Sequence, residues 1–200
     1  MFPRWQNNYL ATLVQRDLPT WGLPSKPQTT SRFVRMVAAV HGQAWNAHQI
    51  GQSMGLSHNT VNSYLDFLVG AFLVRRLEPF YANIGKRLVK TPKIFWRDSG
   101  ILHAILNAPD MDHLLTQPWV GASWEGFVLE QTLSTLAMAG KNFYPYFFRT
   151  SDQYEIDLVL DFGSELWAVE IKLTSAPTVD EIKCFNRTAD LIKADRRFFL

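Results

Sequence analysis

At 200 residues, 47% of them hydrophobic and 19% charged, the chain can bury one substantial core or two small ones, which excludes a disordered protein. No apolar run reaches membrane-spanning length and the opening residues lack a signal-peptide core, so the cytoplasm is the expected compartment, while a single cysteine, Cys184, excludes an internal disulfide. The net charge of +2 hides an asymmetry: residues 1–100 carry 12 Lys/Arg against 4 Asp/Glu, hence +8, and residues 101–200 carry 8 against 14, hence −6. A basic nucleic-acid-binding part beside an acidic metal-binding part accounts for this split, and so does mutual attraction of the two halves.

Residues 1–30 read as a helix through Tyr9, Leu10, Leu13 and Val14, stopped by Pro19, then a linker with Pro24, Ser25 and Pro27. From Ser31, expected as an N-cap, an amphipathic helix carries Phe33, Val34, Val37, Ala38 and Val40 and ends at Gly42. A second helix covers Ala47 to Met54, Gly55-Leu56-Ser57 makes a turn, and a third helix carries Val61, Tyr64, Leu65 and Leu68, the spacing of a helix-turn-helix. Phe72–Leu77 and Lys93–Trp96 are expected as strands around a basic loop with Lys86, Arg87 and Lys90, which makes residues 31–97 a winged helix with a basic wing. On that reading His58, Asn59, Asn62 and Ser63 face a DNA groove while Lys86, Arg87 and Lys90 meet phosphates. No Lys or Arg falls between Ser57 and Val74, which favours non-specific or protein contacts over base readout.

Residues 98–200 form the third part. Asp98-Ser99-Gly100 opens a short helix, a loop surrounds Pro109 and Pro118, and residues 121–139 make a long helix with Trp124, Phe127, Val128, Leu133 and Leu136 toward a core. An aromatic strand, Phe143–Phe148, precedes Arg149, a candidate phosphate contact. The run Glu155–Leu160, a turn at Asp161–Ser164 and the run Leu166–Leu173 read as a hairpin. A helix from Pro177 with Ile182, Phe185 and Leu191, and a strand from Arg196, complete the order.

Strand alternation places Glu170 and Lys172 on one face of the second hairpin strand, opposite Val169, Ile171 and Leu173. Charges inside so apolar a strand need a partner, water or a metal, and Asp157 on the preceding strand is the nearest candidate. Asp157, a dozen residues, then Glu170-Ile171-Lys172, with Glu125 on the upstream helix, resembles the PD-(D/E)XK signature of the restriction-endonuclease-like nucleases; no proline precedes Asp157. The resemblance implies a mixed sheet flanked by helices, one or two Mg²⁺ or Mn²⁺ ions on Asp157, Glu170 and Glu125, and Lys172 assisting the attacking water.

Further motifs, Tyr9-Leu10 with Gln15-Arg16-Asp17-Leu18-Pro19, Thr60-Val61 with Tyr64-Leu65, the block Gly85 to Lys93 and Arg97-Asp98-Ser99-Gly100, resemble the carboxy-terminal domain of bacterial and archaeal AAA-type ATPases. Gly85-Lys86 is followed by Arg87 in a loop, so no P-loop is present, residues 1–30 read as the end of an ATPase module, and the last strand reads as cut short. The expected protein is a Mg²⁺-dependent DNA nuclease effector of an ATPase-linked system. The alternatives are a non-catalytic module that docks DNA, an AAA-type ATPase domain or another protein, and a winged-helix transcription regulator.

Overall fold

The computed structural model describes residues 2–24, 26–81, 88–152 and 154–200. The class is α+β, as expected, with helices around a seven-stranded mixed sheet. The chain divides into two compact units, residues 1–76 with 94–123 and residues 77–93 with 124–200. This division does not follow the boundary expected after residue 97.

In the first unit, α1 (Phe2–Thr12) passes through a π-helical turn (Leu13–Asp17) into the short α2 (Leu18–Thr20). Pro19 therefore does not stop the helix. It has no N–H and its ring crowds the carbonyl four residues back, and the helix widens just before it, with the Leu18 N–H donating to the Leu13 carbonyl five residues back. Helix α3 (Pro27–Ala39) begins four residues before Ser31, because Pro27 at its first turn already holds a helical φ; Ser31 is not its cap.

The short β1 (Gln43–Ala44) leads to α4 (Ala47–Met54) and α5 (His58–Gly70), which form the expected helix-turn-helix. Asn46 caps α4 by accepting the Gln49 N–H at 3.1 Å, Gly55 ends it at φ +70°, and Ser57 caps α5 by accepting the Thr60 N–H at 3.1 Å. Strands β2 (Val74–Pro79) and β3 (Lys93–Trp96) are shared between the units. Helix α6 (Ser99–Ile105) is capped by Asp98, and α7 (Met111–Leu115), where a loop was expected, is capped by Asp110. Phe33, Val37, Leu65, Leu68, Ile94, Trp96 and Leu102 fill the core of this unit.

The second unit takes most of α8 (Val120–Met138), then β4 (Tyr144–Arg149), β5 (Glu155–Asp161), β6 (Leu166–Glu170), α9 (Val179–Leu191) and β7 (Arg196–Phe199). The strand order is β1-β3-β2-β4-β5-β6-β7, with β4–β5 and β5–β6 antiparallel and β2–β4 and β6–β7 parallel. Strand β5 is buried along nearly its whole length, which is why its apolar residues run continuously. Phe148, Ile156, Val159 and Ala168 pack against Phe185, Ala189 and Ile192. Two side chains expected to face a core are exposed instead, Phe127 on α8 and Ile182 on α9. Helix α9 starts after Pro177, with Thr178 and Glu181 forming a reciprocal capping box.

Of the loop expected as a basic wing, the described residues from Leu88 on pair within the second unit. Leu88 bridges Thr150, and the Val89 N–H donates to the Arg149 carbonyl at 3.0 Å. Lys90 is exposed beside this pairing, and Lys86 and Arg87 lie outside the described residues.

Candidate functional site

The second unit gathers carboxylates and ammonium groups around the middle of its sheet. Leu158 pairs with Val169 across β5 and β6, so the next position outward on each strand is Asp157 and Glu170, on the face opposite that pair. Lys172 follows two residues after Glu170 on the same face. Its Nζ lies 2.7 Å from Glu170 Oε1 and 3.9 Å from Asp157 Oδ2. The Ile171 N–H donates to Asp157 Oδ2 at 2.9 Å, which fixes the Asp157 carboxylate against β6. The three hairpin residues singled out from the sequence therefore meet.

Glu125, on α8, joins the same cluster through a residue that was not singled out. Lys93, at the head of β3, places its Nζ 3.1 Å from Glu125 Oε1 and 2.8 Å from Glu155 Oε1, with the Phe147 ring centroid 5.5 Å away. The Lys93 side chain is only 6% exposed. A signal for it was present: Lys93-Ile94-Phe95-Trp96 is a charge heading an apolar strand, the same anomaly that marked Glu170 and Lys172. Arg149 pairs with Glu155 across β4 and β5, its Nε 3.6 Å from Glu155 Oε2, so part of its charge is spent inside the protein.

Four carboxylates, Glu125, Glu155, Asp157 and Glu170, thus share the Lys93 and Lys172 ammonium groups and, at Glu155, the Arg149 guanidinium. Burial raises the Glu125 carboxyl to about 7 against the pull of Lys93, and neighbouring Asp157 adds to the rise. Burial and the Asp157 charge likewise bring Glu170 to about 7. Asp157 is also raised, chiefly by burial, although Lys93, the Ile171 N–H and Lys172 oppose the shift. Burial works against the Lys93 ammonium, but Glu125, Glu155 and Asp157 together outweigh it and hold the charge in place. Glu170 Oε2 is buried and has no hydrogen-bond partner.

Glu125 is engaged by Lys93, and among the described residues no group of three or more His, Cys, Asp or Glu side chains is arranged to hold a metal ion. The donors that suit a hard cation are at the Asp157–Glu170 end, where the partnerless oxygen lies.

The candidate DNA contacts of the first unit are partly occupied. Asn62 Oδ1 accepts the Trp45 indole N–H at 2.8 Å, and the His58 ring stacks on His48 with centroids 4.4 Å apart, leaving Asn59 exposed. Two other histidines are structural. His41 Nδ1 accepts the Trp96 N–H at 2.9 Å while its Nε2 lies 3.1 Å from the Ala122 carbonyl, and His103 Nε2 meets the Ser123 hydroxyl at 2.7 Å. An open apolar cleft of about 620 Å³, lined by Trp21, Phe67 and Phe72, has Asp66 as its ionisable group, and Arg76 pairs with that residue at 2.6 Å. It offers no comparable set of reactive groups.

Fold and site together define an α+β protein whose second unit carries a buried carboxylate–ammonium cluster on a mixed sheet. Residues 2–112 match the family described as a domain of unknown function, DUF8612, and the chain belongs to that family. Residues 120–200 match a second domain of unknown function, DUF4143. The chain is 39% identical over 175 residues to the uncharacterized proteins Mb2031c of Mycobacterium bovis and Rv2008c of Mycobacterium tuberculosis. Each alignment covers 88% of this chain and 39% of the relative, so the chain spans about two fifths of their length. No solved structure matches it. No helix among the described residues is long and apolar enough to cross a membrane.

Proposed function

We propose that the second unit is a metal-dependent phosphodiester hydrolase acting on DNA, of the restriction-endonuclease-like type, working as an effector in an ATPase-linked system. The observation that carries this reading is the meeting of Asp157, Glu170 and Lys172 around the partnerless, buried Glu170 Oε2. Asp157 and Glu170 would hold Mg²⁺ or Mn²⁺, hard cations that take carboxylate oxygens. When bound, such an ion neutralises phosphate charge and lowers the pKa of a water that can attack phosphorus. Lys172, with 37% of its side chain exposed, keeps a positive charge beside both acids, where an incoming phosphate can reach it. Glu125 supports the cluster through Lys93. Arg149, 43% exposed, and Lys90 provide further cationic contacts for the backbone of the nucleic acid, and His58 and Asn59 on the helix-turn-helix provide polar ones.

The test is nicking of supercoiled DNA by the purified chain with Mn²⁺ or Mg²⁺. Asp157→Asn and Lys172→Ala are each expected to lower the rate roughly 100-fold or more, and EDTA to abolish it. Equal nicking by wild type and both variants would trace the activity to a contaminant and end the proposal.

A second reading is favoured by the ion pairs of Lys93, which give Glu125 and Glu155 an internal counter-ion. In that reading the unit is a non-catalytic nuclease-fold module that docks DNA, an AAA-type ATPase domain or another protein. Calorimetry that detects binding to such a partner but no heat from Mn²⁺ would select it over the hydrolase.

A further inference from the structure

We propose that the first unit carries a binding site for a sugar phosphate, in the cleft between α1 and α3. The cleft has a volume of about 700 Å³, within the range that small-molecule sites occupy. Leu10 of α1, Val14 of the π-helical turn, Val34 of α3 and Ile105 of α6 give it an aliphatic floor. Arg32 and Arg35, three positions apart on α3 and so on one side of that helix, line the same cleft. The rest of its polar lining is neutral, the amides of Asn7, Gln15, Gln28 and Asn107 and the hydroxyl of Ser31.

These two cations have no internal counter-charge. Within residues 1–65 the only acidic residue is Asp17, which pairs with Arg16 at 2.8 Å, and Asp98, before α6, accepts the Ile101 N–H at 2.8 Å. Arg35 is exposed and forms no ion pair or hydrogen bond among the described residues. Arg32 donates to the Ser53 carbonyl, a neutral acceptor that anchors the guanidinium without cancelling its charge. A single exposed arginine is merely solvated, but two that share a concave site with hydrogen-bonding amides are arranged for an anion.

The chemical class follows from the lining. A phosphomonoester carries nearly two negative charges at neutral pH and so matches two guanidiniums, whose planar forks fit phosphate oxygens, better than a single carboxylate does. Amides and a hydroxyl donate and accept, which suits the hydroxyls of a sugar, and the aliphatic floor takes its C–H face. Among the described residues no aromatic ring lines the cleft to stack on a nucleobase. The concavity admits a small molecule, where the broad backbone of a duplex would meet only the rim. The site uses no residue of the carboxylate cluster and is independent of the hydrolase reading.

Titration calorimetry of the full chain with ribose 5-phosphate, in EDTA so that no divalent ion takes part, tests the site. One molecule per chain is expected to bind, with ribose and inorganic phosphate each weaker by about tenfold or more, since each makes only part of the contacts. Arg35→Ala, at an exposed position, is expected to weaken binding by about tenfold or more, and Arg35→Lys by less, because lysine keeps the charge and loses the fork. Ala11→Leu changes no charge and fills the cleft from α1, so it is expected to weaken binding by about tenfold as well. No saturable binding of ribose 5-phosphate, AMP binding more than about tenfold tighter, or unchanged binding by either Arg35→Ala or Ala11→Leu would overturn the proposal. Loss of duplex DNA binding in Arg35→Ala, with no binding of ribose 5-phosphate to wild type, would make the two arginines a nucleic-acid contact instead.

Discussion

Lys93 and His41 are both almost withdrawn from water, and they solve the problem of burial in opposite ways. Lys93 keeps its charge because carboxylates surround it; removing one partner of such a buried pair costs about 3–5 kcal/mol, since the remaining charge is left uncompensated. Lys93→Met is therefore expected to melt well below wild type in a thermal scan. His41 gives up its charge instead. Burial holds it down to about 4 from an ordinary 6.5, against the hydrogen bond to Ala122, and the nearby His103 lowers it further.

As pH falls below 6.5 the unfolded chain takes up a proton at residue 41, and the folded chain does so only near 4. This contribution is complete above that window and is lost on acidification through it, by up to about 3 kcal/mol. Glu125 and Glu170, raised to about 7, act in the opposite sense, because the folded state binds their protons first as the pH falls. Denaturant melts of wild type and His41→Asn separate the two. The difference between them should grow with pH from 4 to 6.5, and parallel curves would show that residue 41 does not titrate on unfolding.

At the scale of elements, the helix-turn-helix depends on close backbone approach. A Cβ at Gly51 would lie 2.6 Å from the Leu56 carbonyl oxygen, a backbone atom that cannot swing aside, so α4 and the turn that follows it fit together only with glycine there. Gly51→Ala is expected to destabilise by about 2 kcal/mol, through the same backbone displacement that overpacking causes. Gly55 is different: a Cβ there would meet nothing within 4 Å, and the cost of Gly55→Ala is the left-handed φ of +70°, about 1 kcal/mol. Thermal melts in which Gly51→Ala is no worse than Gly55→Ala would contradict this account. The π-helical turn before Pro19 shows the converse, a helix that changes its hydrogen-bond spacing at a residue without an N–H and so continues past it.

At the scale of the molecule, neither unit is a continuous segment. Residues 77–93 belong with residues 124–200, and they bring Glu78 and Pro79, which pair with Tyr146 and Phe147 of β4, as well as Lys93. A fragment of residues 98–200, the unit a linear boundary would suggest, loses that strand and the counter-ion of Glu125 and Glu155. It is expected to unfold without a cooperative transition in circular dichroism, whereas the full chain melts cooperatively; a sharp transition in the fragment would show that residues 77–93 are dispensable. The amino-acid sequence alone determined the helix-turn-helix, through its Gly55-Leu56-Ser57 turn and apolar spacing, and the placing of Asp157, Glu170 and Lys172 side by side, because turn chemistry and strand alternation act between near neighbours in the chain. Only the tertiary structure decided that Lys93, 32 residues before Glu125, stands between it and Glu155, and that Leu88 bridges Thr150 just past the end of β4. Contacts of that kind are set by how distant strands stack and by which buried charges find each other, and neither leaves a periodicity in the chain.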